Sequence, residues 1–303
     1  HPTNRRQRQM CIRDRRKGSV VSGISAVDIA LWDIAGKYYD QPVYQLLGGA
    51  FRKKIKPYAT GFYRIKGKGE ASRLAEEALS HFENGFDHMK VKLGFGIDDD
   101  LKCMESVGHA LKNKNVTLMI DTNHAYGRSE ALTLGKNLED FKLRWYEEPV
   151  VPEDIKGYAE LRSKLDIPIA GGENEHTLFG FKSLFENNAI DIAQPDIGSC
   201  GGITGAKHII NLAHSFGVEV NPHVWGSAIA QAASIQVIAS IPVTHFSIFA
   251  REPILEYDQS SHPFRRELLS TPFELVNGMI NIPEDKGLGI EVNLETIKKY
   301  KTN

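Results

Sequence analysis

Cysteine is scarce in this 303-residue chain, and its three copies, Cys11, Cys103 and Cys200, form no CxxC pair. A cysteine zinc site and a disulfide framework are therefore not indicated, and a reducing cytoplasm fits best. No apolar run approaches the roughly 20 residues of a membrane span, so the reading is of a non-membrane protein. Charge of one sign is missing overall, the formal net being −1. The exception is residues 1–17, where Arg5, Arg6, Arg8, Arg13, Arg15, Arg16 and Lys17 face Asp14 alone. That arm has no aromatic residue to stack on bases and no apolar periodicity, so nucleic-acid binding is not expected of it. It also lacks the apolar core of a secretory signal. Residues 1–19 are accordingly expected to be a disordered, non-native leader outside the fold. A full phosphate-loop pattern is absent too, Gly67-Lys68-Gly69 being only a fragment of one.

What is present is an ordinary globular composition, 41% hydrophobic and 25% charged, long enough for one large α/β barrel. Apolar residues at helical spacing (Ile24, Val27, Ala30, Leu31, Ile34) predict a helix over 22–37. Beyond Ile55, short β-rich runs alternate with amphipathic stretches. Strands are predicted at 56–63, 88–93, 116–121, 143–147, 167–173, 190–196, 219–223 and near 246–256. Leu74, Ala75, Ala78, Leu79 and Phe82 line one intervening helix, closed by Gly85; Ala206, Ile209, Ile210, Ala213 and Phe216 line another, closed by Gly217. Such alternation implies a parallel sheet with crossover helices, and eight strands suggest closure into a barrel; an open doubly wound sheet is the rival.

Six runs end in a charged or titratable residue: Lys92, Asp121, Glu147, Glu173, Asp196 and His223, separated by 29, 26, 26, 23 and 27 residues. One βα unit per residue accounts for the spacing, and in a barrel all six would meet at the C-terminal face. A lone Asp or Glu among them could instead be a helix N-cap or first-turn charge. Asp121, Glu147 and Glu173 make a hard oxygen set that favours Mg²⁺, with Mn²⁺ as second choice, over Zn²⁺. Lys90 and Lys92 alternate on one strand and point to the same side, where mutual repulsion would lower the pKa of a lysine base. Asp196 one unit before His223 would fix the imidazole's tautomer. Such a set suits abstraction of the proton α to a carboxylate.

At this point the ordered motifs carry a family resemblance. The segment from Ala26 to Lys37, then Leu46-Leu47-Gly48-Gly49, resembles the junction of capping domain and barrel in the mandelate racemase/muconate lactonizing enzyme family of the enolase superfamily. Lys90-Val91-Lys92, Asp121-Thr122-Asn123, Glu147-Glu148-Pro149, Gly172-Glu173-Asn174, Gln194-Pro195-Asp196 and Pro222-His223 follow in the family's order. The resemblance implies a TIM-type (β/α)7β barrel with only a remnant of the N-terminal α+β capping domain. Its expected divisions are a remnant over 20–50, the barrel over 51–270 and a segment over 271–303 returning to the junction. It further implies Asp121, Glu147 and Glu173 as Mg²⁺ ligands, and Lys92 and His223, supported by Asp196, as the two proton carriers. Lys90 and Asn123 are implied as substrate-binding, and Glu256, with Glu252 as competitor, as the acid facing the substrate carboxylate. The expected activity is dehydration of an acid sugar, a small-molecule carboxylate. A racemase or epimerase of a 2-hydroxy acid and a non-catalytic barrel fragment are the alternatives. Homo-oligomerisation is left open.

Overall fold

The computed structural model describes residues 17–242 and 251–301. Most of the basic arm, with Cys11, and the first part, 246–250, of the region 246–256 therefore lie outside the described residues. The strands run β1 (Lys54–Ile55), β2 (Pro57–Thr60), β3 (His88–Lys92), β4 (Thr117–Asp121), β5 (Tyr146–Glu147), β6 (Ile169–Gly171), β7 (Ile192–Ala193), β8 (Glu219–Val220), β9 (Leu255–Asp258), β10 (Leu275–Val276) and β11 (Met279–Asn281). Strands β2 to β9 form one parallel sheet in sequence order, with β9 pairing back onto β2. Helices Ala71–Glu83, Ile97–Ala110, Arg128–Leu138, Ile155–Lys164, Thr177–Glu186, Gly202–Ser215 and Ala228–Ser240 each follow one of β2 to β8, which is the (β/α)7β order.

Seven seams of this sheet are backbone ladders. The eighth, between β8 and β9, is bridged among the described residues by side chains. Asn221 Oδ1 accepts the Ile254 N–H at 2.9 Å, and Glu256 Oε2 accepts the Val224 N–H at 2.9 Å. Both bridging side chains are buried, so the backbone donors they satisfy would otherwise face no water.

The period of two along each strand layers the barrel interior. Tyr58, Met119, Trp145, Ala170, Ile192 and Ile254 form a buried apolar cluster, with Tyr58 and Trp145 edge to face at 5.5 Å. Two residues further along each of several strands stand Thr60, Asp121, Glu147, Gln194 and Glu256. Apolar packing thus forms a plug beneath a polar layer at the strands' C-terminal ends.

The first helix, Ser19–Tyr39, has 21 residues and is by length and composition apolar enough to cross a membrane, which the sequence reading of apolar runs missed. Ile29 joins the main apolar core, and polar contacts add to it. Ser25 Oγ accepts the Gly201 N–H at 2.9 Å, and the buried Asp28 accepts both the Thr204 N–H and hydroxyl at 2.9 and 2.8 Å. Gly202 is required there: its φ is +74°, and a Cβ would come within 2.5 Å of the Asp28 carboxylate. Asn221→Ala removes the side-chain acceptor at the β8–β9 seam and leaves a buried N–H unpaired. It should lower unfolding free energy by about 1–3 kcal/mol, read from the urea midpoint at unchanged slope.

Candidate active site

Strand ends deliver the charged residues to one face in two ways. Lys92, Asp121 and Glu147 are the last ladder residues of β3, β4 and β5 and lie side by side in register. Glu173, Asp196 and His223 come two or three residues after their ladders end. Gly172 permits the first of these departures, with φ +121° and Phe181 within 2.6 Å of any added Cβ. Left-handed backbone recurs at Asn123 (φ 41°), His124 (φ 52°) and Glu148 (φ 45°), so non-glycine residues around the site hold sparsely populated conformations.

Asp121, Glu147 and Glu173 each bring a carboxylate oxygen to within 4.8 Å of the other two. Glu147 is fixed by Trp145 Nε1–H (2.8 Å) and Gln194 Nε2–H (2.6 Å), both on one oxygen. Lys90, with no exposed surface, lies against Glu147, 2.9 Å from Glu256 and 3.6 Å from Asp121. Lys92 donates to Asp121 and, at 3.0 Å, to Asn123 Oδ1. His223 Nδ1 lies 2.7 Å from Asp196 Oδ2, and its Nε2 is 3.3 Å from Glu173 and 3.8 Å from Glu256. Above this floor opens a cavity of about 480 Å³, touched by Lys92, Asn123, Glu173 and His223.

Negative charge dominates the cluster, with six carboxylates counting Glu148 and Asp196 against two ammonium groups and one imidazole. Burial pushes Glu147 up to about 7, with Lys90 opposing and Asp121 and Glu256 adding repulsion. Burial, then Glu173 and Asp121, push the neighbouring Glu148 up to about 8. Carboxylates under such strain are a fit for a divalent cation, which would let them all ionise together, and their oxygen donors suit a hard one. For His223, burial opposes the charged form, but Glu173, Glu256 and Asp196 outweigh it and lift the ring to about 10. Lys92 departs from expectation: burial alone would lower it, yet contact with Asp121 outweighs both burial and Lys90, and its pKa is raised. A cation on Asp121 would remove that pull.

The structure gathers Lys90, Lys92, Asp121, Asn123, Glu147, Glu173, Asp196, His223 and Glu256 into this one cluster. Glu252 is elsewhere, its side chain 54% exposed and paired with Arg52 at 2.6 Å. Lys90 does not reach the cavity; its ammonium is enclosed by carboxylates. Sequence reasoning quoted Gln194 and Glu148 within motifs but assigned them nothing. Glu148 is buried and bonded by Asn174 (2.7 Å) and His124 (3.2 Å), and Gln194 orients Glu147. Trp145 was missed as well, although its position two residues before Glu147 on one strand is the signal that puts both on the inner face.

A parallel barrel with acid–base groups and a carboxylate triad at its C-terminal mouth defines a barrel enzyme. The enolase C-terminal domain-like model matches residues 73–297 and the mandelate racemase/muconate lactonizing enzyme N-terminal domain model residues 2–48, so the chain belongs to that family of the enolase superfamily. It is 39% identical over 291 residues to D-galactarolactone cycloisomerase of Agrobacterium fabrum, covering 96% of this chain and 77% of the relative. Arabinonate dehydratase of Saccharolobus solfataricus is 30% identical over 291 residues, 96% of this chain and 75% of the relative. The crystal structure of the 3,6-anhydro-D-galactonate cycloisomerase of Zobellia galactanivorans superposes with a TM-score of 0.89 at 39% identity, covering 98% of this chain and 81% of that one.

Because Glu147 holds a proton below about pH 7, protons compete with a cation there. Affinity for Mg²⁺ should therefore fall about tenfold from pH 8 to pH 6, measured by titration calorimetry. Millimolar Mg²⁺ should raise the melting temperature of the parent chain, and Glu147→Gln should abolish that rise.

Proposed function

We propose that this chain catalyses Mg²⁺-dependent β-elimination from an acid sugar, with Asp121, Glu147 and Glu173 as the metal ligands and dehydration as the reaction. The observation that carries the reading is the placement of two proton carriers at opposite ends of the carboxylate triad, Lys92 against Asp121 and His223 at 3.3 Å from Glu173. Lys92, freed of its proton, takes the hydrogen α to the carboxylate, and the C–H electrons pass into an enediolate. Bound Mg²⁺ would supply positive charge to the oxygens on which that negative charge develops. Collapse of the enediolate breaks the β C–O bond, and His223 gives its proton to the departing oxygen. The enol left behind takes up a proton to become the 2-keto-3-deoxy acid.

The environment of His223 supports its part as the acid. The three acids around His223 favour its charged form, as a proton donor requires, and Asp196 at 2.7 Å leaves Nε2 as the donating nitrogen. Glu256 is depressed despite burial, because Lys90 and then His223 favour its ionised form, and Thr60 Oγ1–H and the Val224 N–H also donate to it. In this reading Lys90 acts through those carboxylates, holding Glu147 and Glu256 ionised. Asn123, which lines the cavity and accepts from Lys92, orients the base and borders the substrate.

A second reading keeps the same proton transfers but ties the leaving oxygen into a ring, so that elimination opens the ring and the product is an isomer. Two cycloisomerases at 39% identity favour it. Product mass decides between them, dehydration giving a product lighter by one water and ring opening an unchanged mass. On whichever acid sugar is turned over, Lys92→Ala should eliminate exchange of the α-hydrogen with solvent deuterium. His223→Asn should block product while exchange persists, followed by proton NMR. Equal loss of exchange in both variants would assign the base elsewhere.

A further inference from the structure

Trp225 follows His223 by two residues, lines the same cavity and is 53% exposed. An aromatic ring left that open usually moves, but this one is held at its edge and over a face. Its indole N–H donates to Tyr63 Oη at 2.9 Å, and Tyr63 Oη–H donates to Asp258 Oδ1 at 2.8 Å. Burial raises the Tyr63 phenol, which keeps that proton in place. Asp258 also pairs with Arg265, whose guanidinium lies 5.6 Å from the Trp225 ring centroid and whose Nε–H donates to the Gly226 carbonyl at 3.0 Å. The loop after β8 is thereby latched to the segment after β2 and to the end of β9. Nothing in the elimination chemistry uses this latch.

Building on the acid-sugar reading, we propose that Trp225 is a specificity-determining residue, a pre-set apolar wall against which the C–H face of the substrate's carbon chain packs. An indole face offers no donor or acceptor to hydroxyls, so it selects the C–H side of an extended polyhydroxy chain and leaves the hydroxyls to the polar floor. Because Trp225 and His223 share one loop, a chain seated on the indole holds its β C–O bond toward the imidazole. A ring fixed in advance costs little entropy on binding, so contact with it shows in affinity.

The fluorescence of the chain can report this contact, because Trp145 is fully buried and Trp32 is bonded to Thr204. With Mg²⁺ present, the full chain is assayed on D-gluconate, D-xylonate, arabinonate and galactarate. Any member turned over should shift tryptophan emission, and Trp225→Phe, which removes the indole together with its bond to Tyr63, should remove that shift and raise KM with kcat held. Trp225→Leu should lower kcat/KM about tenfold, chiefly through KM, and change the ranking of the panel. An unchanged Mg²⁺-induced rise in melting temperature confirms that its metal site is intact. Should the leucine variant fail to fold, Tyr63→Phe, which removes the link to Asp258 but keeps the ring, should raise KM with kcat held. A substrate turned over without any emission shift, or Trp225→Leu and Tyr63→Phe both matching the parent's KM and ranking, overturns the wall. Turnover of none of the four overturns the acid-sugar reading and the wall with it.

Discussion

The ammonium of Lys90 has no exposed surface and lies among Glu147, Glu256 and Asp121, three carboxylates with essentially none either. Removing any one of these charges from water is expensive, and gathering three of one sign without a counter-charge would force protons onto some of them. Lys90 is the fixed compensation. It allows an acidic cluster to exist inside a barrel, while burial, with the repulsion it leaves uncancelled, holds Glu147 at about 7. That residue of strain is what makes the triad receptive to a cation.

The scaffold serves this balance at several levels. Beneath the charges, Tyr58, Trp145, Met119 and their neighbours pack as a buried apolar cluster, from which Trp145 Nε1–H reaches up to Glu147. Around them, ladder hydrogen bonds fix Lys92, Asp121 and Glu147 in adjacent register. Beyond the ladder of β6 the chain turns through Gly172, at positive φ, and Glu173 follows it toward the site. Where the last ladder is replaced by side chains, Glu256 serves two ends: it accepts from the Val224 N–H across the seam and it faces Lys90. Closure of the barrel and charge balance at the site thus share one carboxylate.

Much of the fold was legible because its signals are local. The alternation of β-rich runs with helical stretches placed all eight barrel strands, and Gly85 and Gly217, both with positive φ, closed the two helices assigned to them. Most observed ladders are shorter than the predicted runs, 219–223 reducing to Glu219–Val220, and the last strand, expected near 246–256, is Leu255–Asp258. The first helix runs to Tyr39 rather than to Lys37. In the site, the regular spacing of polar strand ends identified which residues converge, since one βα unit separates each from the next. Spacing could not say that Lys92 would rest on Asp121, a contact that raises the lysine's pKa.

Sequence by itself determined the period-two and helical patterns, the number of βα units and the type of donor at each strand end, because each is a property of a few neighbouring residues. Only the tertiary structure decided which charges touch. Lys90 and Lys92 are two residues apart with the same chemistry, yet one is sealed among carboxylates and the other borders the cavity. Glu252 and Glu256 are four residues apart, and only the second turns inward. The latch from Trp225 through Tyr63 and Asp258 to Arg265 likewise joins residues up to about 200 positions apart. Electrostatic coupling decays over a few ångströms and depends on burial, and both quantities exist only once distant strands have been brought to one barrel mouth.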